Sequence, residues 1–161
     1  MQLENKFKWC LKKGREGGHG LIEVKPSEKL SNGHIERAKF DLEFVDFNQE
    51  KFPVWALSGC YYAIYHSLLA ILYRFGYEST NQECTVTAIE YLIHTEKIKL
   101  EKGHIELFKK IRDLNIKKAR SLREQFQYGI NFDVDKEIFK ELKEKSIAFV
   151  EFVEGILKEI K

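Results

Sequence analysis

One stretch of the chain limits what it can fold into. From Val54 to Tyr73, 20 consecutive residues carry no formal charge, which is long enough for a helix that spans a bilayer. The stretch also holds polar and amphipathic groups that hydrocarbon would penalise, among them Tyr61, Tyr65 and His66. Because the other predicted helices are amphipathic and need an apolar surface to cover, we interpret it as the buried centre of a helical bundle and keep a membrane span as the alternative.

The remaining segments predict an all-α protein. Only 2 prolines and 10 glycines occur among 161 residues, which favours long helices over the short strands of sandwiches and barrels. Apolar residues recur at helical spacing over 3–13, 31–48, 53–75, 80–93, 103–128 and 133–157. Five of the glycines fall between 14 and 33, where we expect a loop with a brief extended piece at 21–24. We therefore predict a short N-terminal helix and glycine-rich connection over 1–30, followed by an up-and-down bundle of four to five helices over 31–161.

Motifs for a cofactor or a metal are lacking. The glycine-rich loop has no GxxxxGK followed by Ser or Thr, so we interpret it as a connection rather than a phosphate-binding loop. The 5 histidines show no HxH, HxxxH or HExxH spacing, which predicts neither a metal site nor a cofactor. The 3 cysteines, Cys10, Cys60 and Cys84, form no CxxC pair, which argues against a disulfide framework. Without an apolar leader at the N-terminus, we expect a reducing, cytoplasmic compartment.

The balanced net charge of +2 conceals an uneven distribution. Residues 97–123 hold ten basic and three acidic side chains, so this segment carries +7 and the remainder −5. On a helix its cations form a ridge within a sector of about 80°, made of Lys102, Lys109, Arg112, Arg120 and Arg123. Such a ridge is either a solvated face answered by the acidic last helix or a strip that binds phosphate, for which the planar fork of arginine is suited.

Three segments, in order, resemble the HEPN domain family (higher eukaryotes and prokaryotes nucleotide-binding). His34–Phe44 resembles the family's opening helix, Cys60–Tyr77 its aromatic central helix ending in Gly-Tyr, and Leu122–Gly129 its motif-bearing helix. The resemblance covers about residues 31–158. It implies a compact helical bundle that dimerises and is often encoded beside a small nucleotidyltransferase, as a toxin–antitoxin-like pair.

The resemblance also implies a reaction, because many members of the family are metal-independent ribonucleases. Their signature is an arginine, usually followed by Asn, Asp or His, with a histidine four to six residues beyond. Here Arg123 matches the arginine, Glu124 follows it, and Tyr128 stands at the histidine position. In the family's chemistry the RNA 2′-hydroxyl attacks the adjacent phosphate, the histidine moves protons and the arginine stabilises the phosphorane. A tyrosine, with a pKa of about 10, donates a hydrogen bond at neutral pH but is a poor base.

Geometry adds a condition to this motif. Residues five apart on a regular helix diverge by about 140°, so Arg123 and Tyr128 converge only across a dimer interface or where the helix loosens. Arg120, three residues before Arg123, faces the same side. His66 on the central helix offers a replacement for the missing histidine, and a hydrogen-bonded core or interface histidine is the alternative.

These observations lead to two functional hypotheses. The first is an RNA- or nucleotide-phosphate-binding homodimer, with residual metal-independent ribonuclease activity. The second is a non-catalytic dimerisation or adaptor module for a nucleotidyltransferase. For the first, the candidate catalytic residues are Arg123, Tyr128 and His66, and the candidate phosphate-binding residues are Arg120, Arg112 and Lys109.

Overall fold

A computed structural model describes residues 1–107, 109–110, 113 and 134–160. They form the all-α fold that the sequence predicts, with the addition of one small antiparallel sheet. The helices are α1 Leu3–Arg15, α2 Glu28–Asn48, α3 Pro53–Arg74, α4 Gln82–His94, α5 (residues 102–107, 109–110 and 113) and α6 Lys136–Glu159. The strands are β1 Leu21–Glu23 and β2 Tyr77–Ser79.

Helix α3 is the centre of the bundle, as its lack of charge predicts. Pro53 occupies its first turn, where a missing N–H costs nothing, and Gly76 follows its C-terminus with a φ of +81°. Among the described residues α3 is the helix that is long and apolar enough to cross a membrane, but 72% of its apolar window is buried by the rest of the fold. It packs against α2 and α6, which agrees with the interpretation of this stretch as a core helix.

Helices α2 and α3 approach each other closely at Gly59. A Cβ at this position would lie 2.7 Å from Val45 Cγ2 and 3.2 Å from the main-chain oxygen of Asp41, so only glycine fits without displacing its neighbours. Helix α2 begins earlier than the predicted start at residue 31, because the Ser27 hydroxyl accepts the N–H of Leu30 and caps the helix there. We call the contact between the two helices the α2–α3 seam.

The N-terminal segment corrects the prediction about cysteines. Cys10 of α1 and Cys84 of α4 form a disulfide across 74 residues of sequence, and both are fully buried. Spacing motifs recognise cysteines that are neighbours in the chain, and a pair this far apart gives no such signal. Cysteine usage therefore no longer supports a reducing compartment. Cys60 is free, and burial raises the pKa of its thiol to about 11.

The outer elements match the predicted pattern with two exceptions. The extended piece at 21–24 is β1, but its partner β2 was not predicted, since three residues between two helices carry too little pattern to be recognised. Asp135 caps α6 by accepting the N–H of Ile138. Ile138, an apolar residue of the predicted helix over 133–157, is 48% exposed, because it lies on the solvent side of the first turn of α6, whose next residue, Phe139, is the one that the core buries.

Candidate functional site

His66 and Lys109 are the predicted site residues that the structure describes. The remaining candidates, Arg112, Arg120, Arg123 and Tyr128, lie outside the described residues. His66 and the side chains around it therefore define the candidate site.

His66 on α3 faces a second histidine across the seam, His34 on α2. Their Nδ1 atoms are 2.9 Å apart, a hydrogen-bond distance, and the two rings meet edge to edge, with centroids 5.2 Å apart and planes inclined by 24°. The ring of Tyr73 stacks on His34, with 5.1 Å between the centroids. Because one of the two Nδ1 atoms must donate and the other accept, the imidazoles share a single proton position between them.

A carboxylate and a guanidinium extend this pair. Asp41, 7% exposed, lies on the same face of α2, and its Oδ2 is 3.9 Å from His66 Nε2 with no hydrogen-bond partner in the described part of the chain. Its other oxygen accepts a hydrogen bond of 3.1 Å from Arg37 Nε. His34, Arg37 and Asp41 are spaced i, i+3 and i+7, which places them on one helix face. Together with His66 they form what we call the histidine cluster.

Burial sets the charge of the histidine cluster. Desolvation, and then the charge of His66, lowers the pKa of His34 to about 4. Desolvation, and then Arg37, lowers the pKa of His66. Desolvation also raises the pKa of Asp41, while the hydrogen bond from Arg37 opposes that rise. Both imidazoles are consequently neutral at pH 7, so each ring has one unprotonated nitrogen, and the lowered pKa of each makes it a weaker base than an exposed histidine.

A comparison with protein-family models matches residues 32–156 to the HEPN domain. The chain belongs to the HEPN domain family. A comparison with curated proteins finds none that matches the chain. The matched range contains all four members of the histidine cluster and the segment with Arg123 and Tyr128, and it leaves out α1, β1 and the first cysteine of the disulfide.

The described part of the basic ridge in this HEPN domain is partly neutralised. Lys109 Nζ forms an ion pair with Glu90 on α4. Glu90 belongs to α4 and not to the acidic last helix that the sequence analysis names as the alternative partner of the ridge. Its ion pair makes Lys109 a weaker phosphate ligand than the sequence indicates.

The seam of the HEPN domain also carries exposed aromatic rings. Phe44 lies beside Gly59, because its Cδ1 atom would be 3.2 Å from a Cβ added at that glycine. Other aromatic rings of α2 and α3 near this point are exposed to solvent. We call this group the aromatic surface; its members and exposed fractions are Phe40 (60%), Phe44 (42%), Phe47 (87%), Trp55 (57%) and Tyr62 (49%). The Arg37 guanidinium lies over the ring of Phe40, with 5.6 Å to the centroid, so the aromatic surface is continuous with the histidine cluster.

Sequence reasoning found one of the four members of the histidine cluster. His34 shows no metal-ligand spacing, and His34, Arg37 and Asp41 enter the sequence analysis only as part of the His34–Phe44 segment that resembles the family's opening helix. The available signal was a His, Arg and Asp at i, i+3 and i+7 beside apolar residues. Among the described residues no group of three or more His, Cys, Asp and Glu side chains is arranged to hold a metal ion.

Proposed function

We propose that this HEPN domain binds RNA or a nucleotide phosphate and cleaves RNA without a metal ion. The observation that carries the proposal is the His34–His66 pair, which is neutral at pH 7 and only partly buried. In a family whose motif histidine is replaced here by Tyr128, this pair supplies an unprotonated imidazole nitrogen at neutral pH, which a protonated tyrosine does not.

In the proposed reaction the RNA 2′-hydroxyl attacks the adjacent phosphorus and the 5′-oxygen leaves. Arg123, with Arg120 and Arg112, binds the phosphate oxygens and stabilises the negative charge that develops in the transition state. Tyr128 donates a hydrogen bond, and the histidine pair takes the proton of the nucleophile. Lys109 contributes less, because Glu90 already neutralises its charge.

Cleavage of a mixed-sequence single-stranded RNA in EDTA at low salt tests the proposal. We expect cleavage that survives the chelator and falls at least 100-fold in Arg123→Ala, since removing one group that stabilises transition-state charge costs about that much. Arg15→Ala, which removes an exposed arginine paired with Glu23 on the N-terminal segment, is the matched control and should cleave like wild type. A protein that neither binds RNA at low salt nor cleaves it contradicts the proposal.

The aromatic surface supports a second candidate, a non-catalytic dimerisation and adaptor module. Its five rings are 42–87% exposed and together present on the order of 600 Å² of aromatic area. Each partner in a standard interface buries about 800 Å², so this surface has nearly the size that a stable dimer requires. We propose a second copy of the chain as its occupant, since the same stripe on both copies forms a self-complementary twofold contact.

In the adaptor function the dimer docks a nucleotidyltransferase, in a toxin–antitoxin-like pair. The family resemblance supports this partner, and the charge of +7 over residues 97–123 would attract an acidic surface of another molecule. A dimer that binds a nucleotidyltransferase encoded beside it, and that leaves RNA intact under the conditions above, supports the adaptor function over the ribonuclease. Cleavage of RNA by the dimer alone contradicts it.

A further inference from the structure

We infer that His34 is the proton-accepting residue of this site, through its Nε2 atom, and that His66 and Asp41 are positioning residues that hold it in the required tautomer. The identity of the reaction rests on the proposed function. The protonation pattern of the two rings does not, because it follows from contacts within the described residues.

The contacts specify which nitrogen carries each proton. Asp41 Oδ2 lacks a hydrogen-bond partner in the described part of the protein and faces His66 Nε2 at 3.9 Å. A carboxylate at this position favours a hydrogen on that nitrogen, which leaves His66 Nδ1 with a lone pair. Since the two Nδ1 atoms are 2.9 Å apart, His34 must then donate its Nδ1–H to His66. A neutral imidazole has one N–H, so His34 Nε2 is the unprotonated nitrogen.

The surroundings of His34 hold the ring and leave that nitrogen available. Tyr73 stacks on the His34 ring with 5.1 Å between the centroids, and His66 Nδ1 meets the edge of the ring at 2.9 Å, so the two contacts together fix its plane. His34 is half-buried, and its Nε2 makes no hydrogen bond to another described residue. A substrate group is therefore able to approach this edge of the ring.

A cation for the substrate phosphate lies one turn along α2. Arg37 bonds Asp41 through Nε alone, and its side chain is 58% exposed. Its two terminal amino groups are thus free of hydrogen bonds within the described residues and have the fork geometry that suits a phosphate. Arg37 supplements the arginines of the motif, and it places an anion close to His34.

The proton transfer balances without a metal or an oxidant. As the bond from the RNA 2′-oxygen to phosphorus forms, the hydroxyl proton passes to His34 Nε2 and the bond from phosphorus to the 5′-oxygen breaks. The 5′-oxygen takes a proton from water, and His34 returns its own to solvent, leaving a cyclic phosphate and a 5′-hydroxyl. While His34 is protonated, its Nδ1–H still donates to His66 Nδ1, so the hydrogen-bonded pair shares the added charge.

Two measurements on the full chain test the inference. The first is cleavage of mixed-sequence RNA in EDTA by the His34→Asn variant. The asparagine amide keeps a hydrogen-bond donor near the position of Nδ1, but it has no atom at the position of Nε2. We expect a loss of at least 100-fold, the lower range for a general base, with partial recovery on adding free imidazole to His34→Ala. His19→Asn, at an exposed histidine in the glycine-rich loop, is the matched control and should cleave like wild type.

The second measurement is nitrogen-15 NMR of the histidine rings at pH 7, which reads the tautomers directly. We expect His34 to be protonated at Nδ1 and His66 at Nε2, and we expect Asp41→Asn to convert His66 into a mixture of tautomers without unfolding the protein. A merely structural Asp41 would leave the tautomers unchanged.

The outcomes separate the inference from the proposed function. Wild-type cleavage by His34→Asn, or a His34 ring protonated at Nε2, overturns the inference even where RNA is cleaved. A wild-type protein that leaves RNA intact overturns the proposed function, and the NMR tautomers then decide the assignment of His34 by themselves.

Discussion

The two ends of the α2–α3 seam differ in the polarity and exposure of their side chains. At one end Asp41 receives a hydrogen bond from Arg37, and His34 and His66 bond to each other. At the other end, large rings such as Phe47, at 87% exposure, face solvent. A protein does not gain stability from exposed aromatic area. This exposure is the reason for our proposal that a second copy covers the aromatic end, whereas the polar side chains at the first end bond within one chain.

The geometry of the seam links its two ends. Gly59 lies between Trp55 and Tyr62 on α3 at helical spacing, and His66 follows on the same face one further turn along. A second copy that covers the rings therefore also covers part of the surface beside the histidine cluster. Excluding water there would strengthen the electrostatic interactions of the site, so the proposed dimer would favour the proposed chemistry.

The largest effect should come from placing charges on the aromatic end. We expect Phe44→Glu with Trp55→Glu to raise the dimer dissociation constant more than about 1000-fold, because desolvating two carboxylates in an apolar interface costs at least about 4 kcal/mol. Sedimentation equilibrium measures the constant. Both residues are exposed, so the unfolding free energy of the subunit should hardly change.

Trp9→Glu provides the control for that variant, because Trp9 is a similarly exposed aromatic on α1, 42% exposed and away from the seam. It should dimerise like wild type. A wild-type chain that stays monomeric at high micromolar concentration, or a double variant that dimerises unchanged, would show that the aromatic surface has another occupant.

A larger residue at Gly59, where α2 and α3 are closest, should lower the stability of the whole subunit. We expect Gly59→Val to lower the unfolding free energy by about 3 kcal/mol, the upper range for overpacking, because the first added atom already lies 2.7 Å from Val45. Urea unfolding measures it. Gly33→Ala, at a helical glycine on α2 with no atom within 4 Å of the added Cβ, should instead stabilise by about 0.5 kcal/mol or more. Equal effects at the two glycines would contradict the close approach.

These contrasts also show how far the sequence predicts the molecule. The missing charges identify α3 as the core helix, and the apolar spacing places the start of α6 near residue 133, because both are local patterns. The histidine cluster and the Cys10–Cys84 bond join residues that are 32 and 74 positions apart. Only the packing of α2 on α3, and of α1 on α4, brings those residues together. A site formed by two helix faces is therefore visible in sequence only as two unrelated patterns.

Lowering the pH should reduce the unfolding free energy through the histidines at the polar end of the seam. The pKa of His34 is about 4 in the folded chain and about 6.5 when unfolded, so between these pH values the unfolded state binds more protons and stability falls as pH falls. We expect a loss of about 2 kcal/mol from pH 6.5 to 4, discounted for a half-buried ring. His66 adds to the loss, and Asp41, whose pKa is raised, opposes it at the acid end.

Denaturant unfolding at several pH values measures this slope, and His34→Asn should flatten it. His19→Asn should leave the slope unchanged, since His19 is exposed in the glycine-rich loop. A steep slope that persists in His34→Asn would show that other groups control the acid response.

The smallest effect on stability should come from Asp41→Asn. The amide keeps the shape of the carboxylate and an oxygen to accept the hydrogen bond from Arg37 Nε, and it removes a buried negative charge whose pKa is raised by desolvation. Because these changes oppose each other, we expect the unfolding free energy at pH 7 to stay within about 1 kcal/mol of wild type. Asp46→Asn, which weakens an exposed ion pair with Lys143, is the control and should behave similarly. If Asp41→Asn alone lowers the unfolding free energy by several kcal/mol, the carboxylate stabilises the packing of α2 on α3. If the unfolding free energy is nearly unchanged and the histidine tautomers are altered, Asp41 acts as a positioning residue for His66 and His34.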